Sequence, residues 1–361
     1  MYGANRSLLS LMFSLKDKGY QVHLISREDG LVVQKSKIYS IKTLVLKFHL
    51  SFYSIKRRLP FLSFLNYFKN IPPFFKLLNH IESIKPDIIY SNSSVMDIGF
   101  WAARVKKIPH IWHIRELGFE DYQVKPILGN SILKKLFSMS DRVIYISNYI
   151  SDKYLIKEQN SVVVYNGICR KSEIKSKKVK KSSEKIIFSV VGVLSESKNQ
   201  KTVILAFSII KSHFPNCILH LYGDGELEYV TILKNICFDL GVEDSVFFMG
   251  FENDLDEIYL NTDCLLMPSL FEAFGRVVVE AMQYNIPVIV NGCGGLLEIV
   301  VKDENGLVYD STIDGLVFEM KSFLTNEKLV NYILSNAHKT ILEKFTIESY
   351  TENIENLILH I

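Results

Sequence analysis

Two carboxylates eight positions apart, Glu272 and Glu280, flank Ala273-Phe274-Gly275-Arg276 in the stretch "SLFEAFGRVVVEAM". "DCLLMPS" just before it reads as a strand and "FGRVVVEAMQY" as a helix, which puts Glu272 in the strand-to-helix loop. The N–H groups of Phe274, Gly275 and Arg276 then open the helix, an arrangement that suits an anion such as a diphosphate. Glu280, about two turns along, falls on the same side as the first turn. Carboxylates so placed accept hydrogen bonds from hydroxyls on either side of the diphosphate, ribose on one side and sugar on the other. A capping glutamate followed by a solvated helix glutamate uses the same residues and needs no ligand.

Other residues with chemical capacity also follow apolar runs. Gly292, Gly294 and Gly295 come after "IPVIV", where closely spaced glycines either let backbone approach a ligand or make an ordinary tight turn. His113 follows "PHIW", with Arg115 and Glu116 close behind, and Asn92 and Ser93 end "PDIIYSN". A lone histidine is as readily a core residue as a ligand contact. "YGDG", with Gly223 and Gly225, lacks the third glycine of a dinucleotide fingerprint, so NAD binding is rejected. Asp254 and Asp256 form a DxD pattern that elsewhere holds a metal. Here they open "DLDEIYLNT", where acids suit a helix N-terminus.

The elements that position these residues alternate along the chain. "YQVHLIS", "PDIIYSN", "PHIWHI", "DRVIYIS" and "SVVVYN" read as strands, as do "KIIFSVVGVL", "CILHLYGDG", "SVFFMGF", "DCLLMPS", "IPVIVNG" and "NGLVY". Continuous apolar strands separated by helical patterns predict an α/β protein with parallel sheets covered on both faces. Residues 1–169 form a first domain and the basic, Ser-rich stretch 170–185 a linker. Residues 186–340 form a second domain, and 341–361 a final helix packing back towards the first. Ligands of such sheets bind at the carboxyl ends of the strands, here in a cleft between two domains. The amino terminus departs from the pattern. "MYGANRSLLSLMFSLKDKGY" goes directly into an amphipathic helix, and the strand that should precede it, central in the usual order, is missing. The expectation is a gap in that core and a true start lying upstream.

Composition limits the partners. With 48% hydrophobic and 22% charged residues over 361 positions, the chain is a globular protein of about two domains. Its five scattered cysteines contain no CxxC pair, which points to reduced thiols in the cytoplasm and excludes a disulfide frame or zinc site. No apolar run is long enough to span a bilayer. The net charge of +3 conceals an asymmetry: residues 1–169 hold 24 Lys/Arg against 12 Asp/Glu, and the remainder 18 against 27. The basic excess peaks from Lys35 to Lys76, with nine Lys/Arg, no acid and many aromatics. Such a stretch suits an anionic membrane surface. A helical hairpin with its aromatics in the core fits it too, and nucleic acid is set aside.

The motifs together resemble the retaining, GT-B-fold glycosyltransferases of family 4. "EAFGRVVVE" is similar to that family's E-x7-E motif. "VVGVLSESKNQKTVILAF", "LHLYGDGEL", "DSVFFMGF", "NTDCLLMPS", "GCGGLLEIV" and "ENGLVY" fall in the family's order, and "YGANRSLL", "HIRE" and "VVYNGI" resemble its first-half landmarks. The resemblance implies two Rossmann-like domains facing across a cleft. It implies that Glu272 contacts the donor sugar, Glu280 the ribose and Lys198 the diphosphate, with His113 reaching the sugar from the first domain. Gly192, Gly250, Phe274, Gly275, Gly294 and Gly295 would shape the donor site, with the base near Gly250 and Phe251. Gly3, Asn92 and Arg115 would lie on the acceptor side. Val193 stands where the family has an arginine, and Arg276 is the candidate substitute cation.

The implied activity is retaining transfer of a hexose from a nucleotide-diphosphate sugar to a glycan or lipid-linked acceptor, without a cofactor or metal. The implied setting is bacterial surface-polysaccharide synthesis at the inner face of the membrane. Two other readings stay open: a sugar-nucleotide 2-epimerase, and a non-catalytic partner subunit degenerate through Val193 and the missing strand.

Overall fold

The computed structural model describes residues 3–55, 60–154, 160–175 and 185–361. Tyr2, the Lys56, Arg57 and Arg58 of the basic stretch, and residues 176–184 of the expected linker lie outside the described residues. The chain forms two compact units, Met1–Gly167 with Ile347–Ile361, and Ile168–Thr346.

The first unit begins with α1 (Gly3–Asp17), β1 (His23–Ser26), α2 (Leu31–Ile38), β2 (Lys42–Val45), β3 (Phe52–Ser54), α3 (Pro60–Phe68) and α4 (Ile71–Ile84). It continues with β4 (Ile89–Ser91), α5 (Ile98–Lys106), β5 (His110–Ile114), α6 (Gly118–Tyr122), β6 (Val124–Pro126), α7 (Asn130–Ser138), β7 (Arg142–Tyr145), α8 (Asn148–Tyr154) and β8 (Ser161–Val163). The parallel strands fall into two hydrogen-bonded sets, β1–β2 and β4–β5–β7–β8, while β3 and β6 form a separate antiparallel ribbon. Among the described residues no strand joins the two parallel sets. Helices span both sets instead. On α1, Leu9 and Met12 share a core with Leu24 of β1, while Leu11 packs with Ile111 of β5 and Ile144 of β7. Leu77, Leu78 and Ile81 of α4 pack with Ile25 and Leu44 of the first set and Ile89 of the second.

The second unit runs β9 (Ile186–Val191), α9 (Gln200–His213), β10 (Cys217–Tyr222), α10 (Leu227–Asp239), β11 (Val246–Gly250), α11 (Leu255–Tyr259) and β12 (Cys264–Met267). It ends with α12 (Arg276–Gln283), β13 (Val288–Asn291), α13 (Leu296–Ile299), β14 (Leu307–Tyr309), α14 (Ile313–Thr325) and α15 (Glu327–Lys344). Its six strands form one parallel sheet in the order β11-β10-β9-β12-β13-β14. β12 and β13, buried along their whole length, are apolar on both faces because helices cover both. Val203, Ile204 and Phe207 of α9 and Leu316 and Met320 of α14 share one core with Phe188, Leu219 and Cys264.

The described part of the expected linker belongs to this second unit. Lys175 N–H donates to Gln283 O at 2.9 Å, and Gln283 Nε2 donates to Glu173 O at 3.1 Å. The chain re-enters the first unit as α16 (Ile347–Leu359), whose Tyr350 and Ile354 pack with Leu11, Ile111 and Ile144.

Candidate active site

In the second unit the chain moves from β9 to β10 and β11 on one side, then back to β12, β13 and β14 on the other. The reversal lies between β9 and β12, where the loops after adjacent strands diverge and leave a crevice. Lys198 sits in the loop after β9 and Glu272 in the loop after β12. Their side chains meet, Lys198 Nζ to Glu272 Oε2, at 2.6 Å. The pair is 31% and 16% exposed, so it lines an accessible site. Backbone ties fix the two loops to each other: Leu270 N–H donates to Ser197 O at 2.9 Å, and Asn199 Nδ2 donates to Pro268 O at 3.4 Å.

A third loop, after β13, closes the site. Gly295 N–H donates to Glu272 O at 2.9 Å. A Cβ on Gly295 would stand 2.4 Å from Ala273 O, a backbone atom with no room to move, so only glycine allows this approach. Gly294 beside it takes a positive φ of 52°. Cys293 Sγ donates to Ser269 O at 3.0 Å, and burial, with Glu272 adding to it, pushes the thiol up to about 11. Asn291 Nδ2 also donates to Ser269 O, at 3.0 Å.

The strand ends on the other side of the crevice are drawn together in the same way. Gly192 N–H donates to Tyr222 O at 2.9 Å and Gly223 N–H to Gly250 O at 2.7 Å. A Cβ at Gly223 would lie 2.0 Å from Gly192 O. Gly250 sits at a register shift between β10 and β11 with φ of 71°, next to Phe251, which is 58% exposed. Val193 is exposed and brings no cation, and its carbonyl accepts from Gln200 Nε2 at 3.0 Å.

Helix α12 starts at Gly275, whose φ of 104° turns the chain into the helix, and no side chain caps that end. Phe274 is buried against Phe345. Three consecutive valines are weak helix formers, and the burial of Val278 and Val279 outweighs that preference here. Glu280 is 2% exposed and its carboxylate is held within the protein. Arg276 Nε donates to Oε1 at 2.7 Å and Tyr259 OH to Oε2 at 3.2 Å. Arg276, expected beside the diphosphate, therefore directs its Nε to Glu280, four residues along the same helix. Tyr259 was not anticipated, since a helix two elements away gives no local pattern that pairs it with Glu280. Asp254 and Asp256 open α11: Asp254 caps the helix by accepting from Asp256 N–H at 2.9 Å, and Asp256 accepts from Lys175 and Tyr284.

The first-unit residues form their own cluster at the carboxyl ends of its strands. Arg115, 5% exposed, donates through Nε to Asn92 Oδ1 at 2.6 Å, through Nη1 to Asn166 Oδ1 at 2.5 Å and through Nη2 to Tyr350 OH at 2.8 Å. Asn92 and Arg115 are thus brought together. Asn166 lay in the quoted "VVYNGI" without being singled out, and Tyr350 is too distant in sequence to suggest itself. Glu116 accepts from the hydroxyls of Ser93 and Ser94 and from Ser94 N–H.

His113 requires a correction of position. It was expected after a strand, but β5 runs through Ile114, because "HIWHI" is wholly buried. The His113 ring has no exposure. Its Nδ1 meets Tyr90 OH and Arg115 Nη2, and its Nε2 is buried without a hydrogen-bond partner among the described residues. Burial and the Arg115 charge hold its pKa well below the ordinary histidine value, so the ring is neutral. Gly3 is the exposed first residue of α1.

With these sites in place, comparison with known proteins is informative. The profile of Glycosyltransferase Family 4 matches residues 1–171, and that of Glycosyl transferases group 1 matches residues 171–340. An uncharacterized glycosyltransferase of Methanocaldococcus jannaschii is 33% identical over 178 residues, which are 48% of this chain and 44% of that relative, less than half its length. The UDP-Gal:alpha-D-GlcNAc-diphosphoundecaprenol alpha-1,3-galactosyltransferase of Escherichia coli is 24% identical over 311 residues, 81% of this chain and 80% of that enzyme. Anabaena HepE, crystallised with UDP-glucose, matches 100% of this chain with 97% of its own at a TM-score of 0.80 and 21% identity, a likeness of fold. The two profiles run together over residues 1–340 and the shared fold over the whole chain, so this protein belongs to the group 1 glycosyl transferases and is a glycosyltransferase of the GT4, GT-B type.

Proposed function

We propose that this glycosyltransferase moves a hexose from a nucleotide-diphosphate sugar to a glycan or lipid-linked acceptor, with retention of configuration, in bacterial surface-polysaccharide synthesis. The observation that carries the reading is the meeting of Lys198 and Glu272 at the switch point of the second sheet, beside the uncapped start of α12. A diphosphate at that helix end meets N–H groups and the Lys198 ammonium. The sugar's hydroxyls donate to Glu272, and Glu280 lies along the same helix for the ribose. The solved likeness to a UDP-glucose complex makes a UDP-sugar the first donor to try.

In the transfer step the bond from the sugar C1 to the β-phosphate oxygen breaks as the acceptor oxygen bonds to C1 on the same face. The acceptor's proton passes to the departing phosphate. Negative charge grows on that phosphate, and a fixed cation with helix N–H groups stabilises it. Lys198 and α12 take this role without a metal in our reading. Asp254 and Asp256 are engaged as a helix cap and as an acceptor for Lys175 and Tyr284. The acceptor is met by the basic first unit, with the protein held at the cytoplasmic membrane face through the Lys35–Lys76 stretch. No helix among the described residues is long and apolar enough to cross a membrane.

Thermal-shift binding of UDP-, GDP- and ADP-sugars to the wild type and to Glu280→Ala tests the donor site. A shift with one nucleotide, lost in the variant, supports it. No shift with any donor in a folded wild type would leave the non-catalytic partner reading, for which Val193 is the local reason.

A further inference from the structure

The first unit carries a groove of about 410 Å3 between α3, α4 and α5 that the transfer reaction does not use. Tyr67, Phe68, Ile71, Phe74, Trp101 and Val105 line it. Polar atoms at its floor satisfy one another. Tyr67 OH donates to Asp97 Oδ2 at 2.6 Å and Trp101 Nε1 donates to the same oxygen at 3.2 Å, while Asp97 is 3% exposed. A ligand in this groove therefore meets apolar walls with no polar group left to pair, and the volume falls within the range of small-molecule sites. Its corner is fixed. Asn70 accepts from His49 N–H at 2.7 Å and donates to His49 O at 2.9 Å, which ties the turn between α3 and α4 to the segment before β3.

The surroundings indicate which apolar ligand. Phe68, Ile71, Phe75 and Val105 are each more than half exposed around the groove, a continuous apolar surface of the kind that marks an interaction site. Exposed Lys69, in the turn between α3 and α4, and exposed Arg104 of α5 are chain neighbours of the lining residues Phe68, Asn70 and Val105, without an ion-pair partner among the described residues. No acidic residue occurs from Lys35 to Lys76. Apolar walls beneath a cationic rim complement an amphiphile with an anionic head.

We propose that the groove takes a hydrocarbon chain of an anionic membrane lipid, with Lys69 and Arg104 meeting its phosphate and those of its neighbours. The proposal deepens the membrane association put forward above and rests on that part of the reading, not on the transfer chemistry. One chain leaves the bilayer to enter the groove, which fixes where on the first unit the surface binds and not merely that it binds.

The chain has two tryptophans, and they make a direct test. Trp101 lines the groove at 36% exposure, whereas Trp112 is wholly buried. Vesicles of phosphatidylcholine with phosphatidylglycerol are mixed with the protein, the phosphatidylglycerol carrying either plain or mid-chain brominated acyl chains. Co-sedimentation reads association, and tryptophan emission reads entry of the chain. The expected result is association that needs phosphatidylglycerol, a blue shift, and bromine quenching that disappears in Trp101→Phe. Val105→Asp, a change at an exposed position, should weaken co-sedimentation about tenfold with the melting temperature unchanged. Association without quenching would overturn the groove and leave the membrane reading standing. Absence of association with these vesicles would overturn both. Quenching retained in Trp101→Phe would place the lipid elsewhere.

Discussion

At the scale of single residues, the second-unit site holds its own charges in waiting. Lys198 and Glu272 neutralise each other at 2.6 Å, and in the proposed reaction a donor sugar-diphosphate takes over both partners when it binds. Being partly exposed, the pair contributes little to stability. Lys198→Ala should therefore lower kcat about 100- to 1,000-fold while leaving the melting temperature within a few degrees, as steady-state kinetics and thermal unfolding together would show. Val193→Arg tests the missing cation from the other direction. The position is exposed and beside the crevice, and a rise in kcat of about tenfold is expected, whereas no change would show that Lys198 and α12 suffice. Gly295→Ala has a steric rather than an electrostatic effect. The new methyl collides with Ala273 O and pushes the Glu272 loop away, so nucleotide-sugar affinity and melting temperature should fall together. The spacing of Glu272 and Glu280 was legible in the sequence because helix periodicity is local. The burial of Glu280 against Arg276 and Tyr259 was not, since it depends on which face of α12 the sheet covers.

At the scale of elements, the eleven apolar runs read as strands all appear as strands, and β5, β12 and β13 among them are buried along their whole length. The three short strands β2, β3 and β6 were missed. β2 is half exposed and mixed in composition, and β3 and β6 pair only with each other at an edge of the first unit. The Lys35–Lys76 stretch is not a simple helical hairpin. It ends α2, forms β2 and β3 and then turns into α3 and α4, with Phe48 and Phe52 buried and Phe68 and Phe75 exposed. β5 carries a prediction of its own. Burial lowers His110 from 6.5 to about 3, and its ring nitrogens meet Ser91 and Ser140 hydroxyls. A histidine whose folded pKa is depressed stabilises fully above 6.5 and loses that contribution as pH falls towards about 3. At pH 5 the loss from His110 is about 2 kcal/mol, with buried His113 adding in the same direction. Urea unfolding at pH 7 and pH 5, followed by the emission of neighbouring Trp112, should show the difference, and His110→Gln should reduce it.

At the scale of the whole molecule, the charge asymmetry follows the division into units. The basic half is the unit proposed to meet lipid and acceptor, the acidic half the one proposed to hold the donor. The sequence showed this because charge adds without regard to contacts. It did not show how the first unit is held together across the separation between β1–β2 and β4–β5–β7–β8, where α1, α4 and α16 take over. Removing residues after Thr346 should confirm the role of α16. Tyr350 is lost from Arg115 and Ile354 from the core of Leu11, Ile111 and Ile144, so the first unit should become protease-sensitive while donor binding by the second persists.

The return of the chain has a further consequence in time. The second unit is an insertion within the first, and the two crossings are bonded to each other, Ile168 N–H to Phe345 O at 2.9 Å. On the ribosome, residues 168–346 are made before α16 exists, an interval of about 10–40 s at ordinary elongation rates. The second unit therefore folds while the first waits for its last helix. Through that wait Leu11, Ile111 and Ile144 lack their cover, and chaperone demand during synthesis falls on the half of the chain that was made first.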